Sequence, residues 1–344
     1  MGIPTSVVVI TLNRPDYVRT CLQRLQAQQP RPDQVIVVDS SQDDRTTRVV
    51  AEFPGVLYLR NENGFGRMTT SRNIALKHCT GAIIAFVDDD AFAHAGWLAA
   101  LLAAYTDPKI GAVGGRALNN QPGEEKQGVD RIGRLMPYGD VQGNFAADPG
   151  AILPVDHIMG CNMSFRREVL ARLGGFREDF PGISGVCEDT DMSLRVRKMG
   201  YTILFNPAAV VDHVAAPQAI GKRFDTRYSY NAQRNRLVML ISNYGPFSGY
   251  VWRYIFHSLW RDTRKLGRIV RGIGPFADAL AHWGANTLGS LVGMVLGVRL
   301  LIRHRADPVR HDRDAQEIAR ILGRSVETSP LRPTPIDEPQ RATF

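Results

Sequence analysis

Three consecutive aspartates, Asp88–Asp90, directly follow the apolar run at 82–87. A run apolar enough to be buried on both faces predicts a central strand, and three adjacent carboxylates at its end repel one another. Carboxylate oxygens are the ligands that Mg²⁺ and Mn²⁺ prefer, and a divalent ion would remove this repulsion. Because side chains alternate along a strand, Asp88 and Asp90 point one way and Asp89 the other. The sequence therefore predicts a D-x-D metal site, with a solvated acidic turn as the alternative.

A second group of acids stands at the start of a predicted helix, where Glu188, Asp189 and Asp191 lie within "CEDTD". A partly shielded carboxylate can act as a general base toward a hydroxyl group. Acids at a helix start also simply complement the helix dipole, which is the structural alternative. His213 ends a later predicted strand and is either a further metal ligand or a structural histidine.

Short apolar runs alternate with helical patterns over residues 7–115, which is typical of a parallel sheet covered by helices on both faces. Such sheets bind ligands at the carboxyl ends of their strands. Polar residues fall at these predicted ends, namely Thr11, Asp39 and Asp88–Asp90. The sequence thus predicts an α/β fold whose strand ends bring these side chains to one edge.

The composition is that of a globular protein, with 344 residues, 44% of them hydrophobic and 22% charged. The four cysteines form no CxxC pair, so neither a disulfide framework nor a zinc site is indicated, and a reducing cytosol is expected. The first residues contain no basic segment followed by a long apolar one, and we therefore expect no export signal.

The positive charge is concentrated near the C-terminus, where residues 217–305 contain 14 Lys or Arg and 3 Asp. Aromatic residues are mixed with these cations, a composition typical of interfacial helices beside anionic lipid. Residues 279–298 are apolar and long enough for a membrane span, and a soluble helical cap is the other alternative. No nucleic-acid reading motif is present, so nucleic acid is not an expected partner. We predict a domain at 1–220, a membrane-associated helical region at 221–305, and a flexible tail at 306–344 with at most one short helix.

Five segments follow one another in the order and at the separations found in a known enzyme family. Over about residues 5–215 the chain resembles the family 2 inverting glycosyltransferases with the GT-A fold. The segments are "VVVITLNRPDYVRTCLQRL", "VIVVDSSQDD", "TTSRNIALKHCTGAIIAFVDDDA", "GCNMSFRREVLARLGGFREDF" and "EDTDMSLRVRKMGYTILFNPAAVVDH". The resemblance implies a sheet of Rossmann-like, mostly parallel strands and a sugar transfer that depends on Mg²⁺ or Mn²⁺.

The resemblance also implies roles on the donor side, all toward a nucleotide diphosphate sugar. Asp39 would read the base edge, and Arg72 would pair with the nucleotide or its phosphates. The metal ligands would be Asp88, Asp90 and His213. The other residues implied at the nucleotide are Thr11, Arg14 and Asp89.

On the acceptor side, the resemblance implies that Asp189 is the catalytic base and that Glu188 and Asn162 line the site. Arg234 and Arg236 in "QRNRL" would grip the pyrophosphate, with a basic helix start as the alternative. This segment has Leu237 where processive members of the family carry Trp, so we do not expect polymer synthesis. The segment "DSSQDD" lacks the usual glycine, which leaves the ribose contact open.

The expected activity is transfer of a sugar to a hydroxyl of a glycan or lipid-linked acceptor, at the inner face of the cell membrane, in synthesis of an envelope polysaccharide or glycolipid. A nucleotidyltransferase of sugar phosphates is a second hypothesis, although the residues after the first strand, "TLNRPDY", contain no Gly-rich phosphate loop. A catalytically silent scaffold with the same fold is the third.

Overall fold

A computed structural model describes residues 2–62, 67–119, 128–181, 186–214, 216, 225–270, 276–306 and 313–323. Within these residues a nine-stranded mixed sheet is flanked by helices, and a separate two-stranded hairpin lies outside it. The strands are β1 (Thr5–Thr11), β2 (Gln34–Asp39), β3 (Val56–Arg60), β4 (Ile83–Asp88), β5 (Ala91–Ala93), β6 (Ile110–Leu118), β7 (Arg134–Leu135), β8 (Val141–Gln142), β9 (Leu153–Pro154), β10 (Asn162–Arg166) and β11 (Thr202–His213). The helices are α1 (Pro15–Gln26), α2 (Arg45–Ala51), α3 (Met68–Leu76), α4 (Trp97–Ala103), α5 (Arg167–Leu173), α6 (Glu188–Lys198), α7 (Thr226–Tyr244), α8 (Gly249–Val270), α9 (Phe276–Ala306) and α10 (Arg313–Gly323).

The sheet has the strand order β3-β2-β1-β4-β10-β6-β11-β5, and β9 pairs with β11. β1 runs parallel to β2 and β4, β2 runs parallel to β3, and β6 runs parallel to β11. β10 is antiparallel to both of its neighbours, β4 and β6. The predicted α/β fold class with a C-terminal helical region is therefore confirmed, and the sheet is mixed rather than mostly parallel, since β10, β5 and β9 pair antiparallel to their neighbours.

The register of the central strands brings the predicted polar residues to one edge. Thr11 pairs with Asp39 across β1 and β2, and Ile10 pairs with Asp88 across β1 and β4. Every residue of β1 is buried, as the apolar pattern predicts for a strand covered on both faces. Since parallel strands end at the same edge, Thr11, Asp39 and Asp88 lie side by side.

Helix α7 joins the C-terminal helices to the sheet domain. The Asn243 side-chain amide of α7 donates to Asp191 Oδ1 of α6 at 2.7 Å, and both residues are buried. Helix α9 packs along α7 through three glycines at four-residue spacing, Gly289, Gly293 and Gly297. A Cβ atom at Gly293 would lie 2.7 Å from the Arg234 carbonyl oxygen, so only glycine permits this approach of the two backbones.

Helix α9 contains a segment, Ala277–Arg303, that is long and apolar enough to cross a membrane by length and composition, with mean hydropathy 1.6 and 22% of the tested window buried. In the described part of the chain it is the one helix that meets this test.

The one short helix that the sequence allowed in the segment 306–344 is present as α10, and it packs against the core of the sheet domain. Helix α10 packs on α5, and Ile318 and Leu322 are fully buried in the main hydrophobic core. The Arg167 guanidinium of α5 donates to the Leu322 carbonyl oxygen at 2.9 Å. The sequence allowed one short helix here, but its apolar residues are too few to indicate docking; residues 307–312 and 324–344 lie outside the described residues.

Candidate metal and donor-binding site

Asp88, Asp90 and His213 form a group that fits a divalent metal ion. One ligand atom from each lies within 4.8 Å of the others. Asp88 ends β4, and His213 ends β11, which pairs with β5 so that His213 faces Ala91. Two carboxylates and one imidazole are a donor set suited to Mn²⁺ or Mg²⁺, so the residues present fit the predicted ion.

Of the two carboxyls in this group, Asp90 is the one whose pKa is lowered, whereas burial raises the pKa of Asp88. Burial also acts to raise the pKa of Asp90, but a hydrogen bond and the charge of His213, together with Arg14, lower it overall. His213 Nε2 lies 3.5 Å from Asp90 Oδ1, and the Ala216 N–H donates to Asp90 Oδ2 at 2.9 Å. Asp90 is thus held as an anion, the form that a metal ligand requires.

Asp89 points away from this group, as the alternation of side chains predicts. Its Oδ2 accepts from the Thr11 hydroxyl at 2.7 Å, and Arg14 Nη1 donates to its Oδ1 at 3.0 Å. Burial raises the pKa of Asp89 to about 7, against the charge of Arg14. Thr11, Arg14 and Asp89 therefore form one connected cluster at the end of β1, next to the metal group.

Asp39 lies fully buried at the end of β2, and its carboxylate is fixed by its neighbours. Its Oδ1 accepts from the Ser41 N–H at 2.8 Å and from the Ser41 hydroxyl, and the Tyr58 hydroxyl donates to Oδ2 at 3.0 Å. The Asn13 N–H in turn donates to the Ser41 hydroxyl oxygen at 2.7 Å. Ser41 thus links the ends of β1 and β2 through hydrogen bonds. It lies in the segment "DSSQDD", where the glycine usual in the family is absent.

Arg72 is fully buried and bridges acids from two parts of the chain. Its Nη1 donates to Glu188 Oε1 at 3.0 Å, and its Nη2 lies 3.5 Å from Asp88 Oδ1. The guanidinium also lies 5.4 Å from the centroid of the Phe176 ring. These contacts place Arg72 between Asp88 of the metal group and Glu188 of α6, and the contact with the nucleotide implied by the resemblance stays a prediction.

The Asp189 carboxylate is held by backbone donors on both of its oxygens. The Gly160 N–H donates to Oδ2 at 2.8 Å, and the Thr190 N–H donates to Oδ1 at 2.7 Å. Desolvation raises the pKa of Asp189, which the backbone hydrogen bonds and Arg72 partly oppose. A raised pKa makes the carboxylate a better proton acceptor than an exposed aspartate, as a general base requires.

Gly160 lies where Asp189 and the buried Arg72 come close together. A Cβ atom at this position would lie 3.0 Å from Arg72 Nη2 and 3.4 Å from Asp189 Oδ2. Arg72 Nη2 also lies 3.5 Å from Asp88 Oδ1, so the metal group and Asp189 both lie close to the Arg72 guanidinium.

Three of the predicted site residues, Asn162, Arg234 and Arg236, bind other groups within the described part of the protein. Asn162 is fully buried, accepts from Trp97 Nε1 at 2.9 Å, and donates to the Arg116 and Ala209 carbonyl oxygens, so its amide is used inside the fold. The Arg234 guanidinium donates to the Pro181 carbonyl oxygen, and that of Arg236 pairs with Asp140. Arg236 also contacts the Cys187 side chain, which directly precedes Glu188.

Nothing in the sequence indicated His157, which is buried beside helix α6. Its Nε2 lies 3.1 Å from the Gln142 carbonyl oxygen, and its Nδ1 lies 3.5 Å from the Thr190 hydroxyl. Burial lowers the pKa of His157 to about 4, so the ring is neutral at pH 7. No pattern in the sequence marked His157 or Gly160; the "GCN" segment at 160–162 drew attention only to Asn162.

Comparison with known proteins agrees with this geometry. The model of the family described as "Glycosyl transferase family 2" matches residues 6–174. A pre-mycofactocin glycosyltransferase of Mycobacterium tuberculosis (strain CDC 1551 / Oshkosh) is 30% identical over 146 residues, which cover 42% of this chain and 29% of that protein. The chain thus matches less than a third of that relative's length.

A longer share of a second relative is matched. The O-antigen chain rhamnosyltransferase WbaN of Salmonella anatum is 27% identical over 208 residues, which cover 58% of this chain and 64% of that protein. The fold is similar to that of the mannosyltransferase PcManGT from Pyrobaculum calidifontis, solved in complex with GDP-Man and Mn²⁺. That likeness has a TM-score of 0.50 at 20% identity and covers 94% of this chain and 85% of the other.

Proposed function

We propose, on the match of residues 6–174 to glycosyl transferase family 2, that the chain transfers a sugar, with inversion, from a nucleotide diphosphate sugar to an acceptor hydroxyl. One observation carries the proposal: Arg72 contacts both Asp88 of the metal group and Glu188, the neighbour of Asp189. A cation-binding group and a shielded base therefore converge at one edge of the sheet. This pairing of groups suits attack by a hydroxyl with departure of a charged diphosphate.

On the donor side, Asp88, Asp90 and His213 would hold Mg²⁺ or Mn²⁺, an ion that neutralises charge on a diphosphate. The PcManGT structure, which contains GDP-Man and Mn²⁺, supports this assignment by analogy. Asp39 is fixed by Ser41 and Tyr58 at the neighbouring strand end, where a nucleoside would lie. The cluster of Thr11, Arg14 and Asp89 would border the same nucleotide.

On the acceptor side, Asp189 would remove the proton from the attacking hydroxyl. Its backbone donors fix the direction of the carboxylate, and its raised pKa favours proton transfer near neutral pH. Glu188 directly precedes Asp189 and pairs with Arg72, and this ion pair would help to hold Asp189 in position.

The acceptor that we propose is a glycan or lipid-linked molecule of the cell envelope, reached from the cytosolic face of the membrane. The name of the relative WbaN, an O-antigen chain rhamnosyltransferase, supports an envelope glycan. The concentration of Lys and Arg in residues 217–305 supports attachment to an anionic membrane surface.

The test compares the wild-type chain with Asp189→Asn in an assay of sugar release from UDP, GDP and dTDP sugars, with Mn²⁺ and with a chelator. We expect Asp189→Asn to lower the transfer rate by about 10²–10⁴-fold while Mn²⁺-dependent nucleotide binding, read from thermal stabilisation, persists. Asp130→Asn is the matched control, since that carboxylate is 80% exposed. Full activity of Asp189→Asn, or undiminished activity in the chelator, would contradict the proposal.

A further inference from the structure

We propose that helices α8 and α9 lie flat against an anionic membrane surface and that α9 does not cross the bilayer, although it is long and apolar enough to do so. This inference rests on the membrane attachment included in the proposed function and adds the topology of that attachment. Three features of the structure carry it: the two faces of α9, the anchoring of α10, and the exposed face of α8.

The first feature is that α9 has one face packed on protein and the opposite face open. Gly289, Gly293 and Gly297 contact α7, where added Cβ atoms would meet Tyr230, Arg234 and Ile241 at 2.6–2.8 Å. The opposite face exposes large apolar side chains at helical spacing. These are Leu288, Leu291, Val295 and Ile302, with exposed fractions of 55–63%.

The partner on the glycine face is polar, which does not suit the middle of a bilayer. α7 contains buried Asn231, Gln233, Arg234 and Asn235, and it is tied to α6 through Asn243 and Asp191. If α9 crossed the membrane, its centre would carry this part of α7 into the hydrocarbon. Arginine and amide side chains at that depth are strongly unfavourable.

The second feature is the return of the chain to the sheet domain directly after α9. Helix α10 begins at Arg313 and buries Ile318 and Leu322 in the same core as the central strands. Only six residues separate Ala306 from Arg313, and such a connection reaches at most about 25 Å. The hydrocarbon core of a bilayer is about 30 Å thick, so a spanning α9 would leave α10 on the wrong side.

The third feature is the exposed face of α8, which combines aromatic rings with cations. Trp252, Phe256 and Trp260 are 43%, 66% and 56% exposed at spacings of four residues. The Arg264 guanidinium lies 4.4 Å from the centroid of the Trp260 ring. Aromatic side chains at the headgroup level with neighbouring arginines match the chemistry of an anionic lipid surface, and we commit to that partner.

The topology is tested in sealed inverted membrane vesicles that contain the full chain with Asp278→Cys or Arg303→Cys, one at each end of α9. The four native cysteines are buried, so labelling reports the new thiol. A flat α9 predicts that a membrane-impermeant maleimide labels both variants without detergent and that alkaline carbonate releases the protein. Labelling of only one end until detergent is added, with resistance to carbonate, would overturn the proposal.

The docking face is tested by flotation of the purified chain with vesicles of phosphatidylcholine and phosphatidylglycerol in equal parts. Combined Trp252→Ser, Phe256→Ser and Trp260→Ser is expected to reduce co-flotation at least about tenfold. The matched control is Ile152→Ser, which removes an apolar side chain that is 46% exposed on the sheet domain. Equal flotation of the triple variant, or no flotation of the wild type, would reject this surface.

Donor hydrolysis with Mn²⁺ is measured in the same preparations to separate this inference from the proposed activity. If the wild-type chain is active but does not float, the proposed sugar transfer stands and the proposed docking surface is rejected. If flotation depends on the aromatic residues of α8 but no donor releases its sugar, the docking surface stands and the proposed function is rejected.

Discussion

The Arg72 guanidinium donates to Glu188 Oε1 at 3.0 Å across a sequence separation of 116 residues, and both side chains are buried. The same guanidinium lies 3.5 Å from Asp88. Breaking a buried ion pair by removing one partner is far more costly than the pair itself is stabilising, because a charge remains buried alone. Arg72 therefore links the stability of the sheet domain to the geometry of the site.

Arg72→Met is expected to destabilise the protein by about 3–5 kcal/mol, since it leaves Glu188 and Asp88 without their cation. The double variant Arg72→Met with Glu188→Gln removes one of the stranded charges and should be less destabilised than Arg72→Met alone. Urea unfolding of the wild type, both single variants and the double variant measures the interaction energy. Additive effects in this cycle would show that the pair is not energetically linked.

Gly160→Ala should impair the catalytic step more than donor binding. The new methyl group would lie 3.0 Å from Arg72 Nη2 and would shift the N–H that holds Asp189 Oδ2. We expect kcat to fall at least about tenfold with little change in the KM of the donor, because a small misplacement of a catalytic group is costly. Gly143→Ala is the control, since its nearest contact would be an ordinary 3.4 Å. An unchanged kcat in Gly160→Ala would contradict the positioning of the base.

The sequence was sufficient to predict where the central strands end and that acidic residues lie at these ends. The buried run before Asp88 and the alternation of its side chains predicted that Asp88 and Asp90 share a direction and that Asp89 points to other partners. Both follow from strand geometry, which is local. The convergence of His213 with Asp90 was implied by the family resemblance and depends on the pairing of β11 with β5.

Long-range packing accounts for what the sequence did not indicate. Asn162 has the residue type of a site residue, yet three hydrogen bonds to β6, β11 and α4 use its amide within the fold. Arginine is a residue type that commonly binds phosphate. The burial of Arg72 against Asp88 and Glu188 depends on the position of α6, which the sequence alone does not give. The docking of α10 rests on Ile318 and Leu322, too few apolar residues to be recognised without the core that receives them.

Removing a charged ligand of the proposed ion should weaken metal-dependent nucleotide binding. Asp90→Asn keeps the size of the side chain but removes the charge, and we expect at least about a tenfold loss of Mn²⁺ affinity in the presence of UDP. The measurement is the Mn²⁺ concentration needed for half of the thermal stabilisation by UDP. Asp107→Asn, at a site remote in sequence, should leave this concentration unchanged, and an equal effect of both substitutions would argue against the site.

His157 should make the protein less stable in acid. Its folded-state pKa is lowered to about 4 by burial, whereas an unfolded histidine has a pKa of about 6.5. Between these values the unfolded chain binds a proton that the folded chain does not, so stability falls by about 3 kcal/mol as the pH drops from 6.5 toward 4. Relative to the wild type, His157→Gln should lose less stability between pH 7.5 and 4.5 in urea unfolding. Parallel pH profiles would show that His157 is not the group responsible.

The glycine face of α9 predicts opposite effects for two substitutions in the same helix. Gly293→Val should lower the melting temperature, because any Cβ atom there would lie 2.7 Å from the Arg234 carbonyl oxygen and would force α9 away from α7. Gly284→Ala should raise stability by about 0.5–1 kcal/mol, since no atom lies within 4 Å of the added Cβ and alanine favours the helix. Thermal unfolding of both variants in the absence of lipid measures the difference. Equal, small effects would mean that the close packing of α7 and α9 does not stabilise the protein in solution.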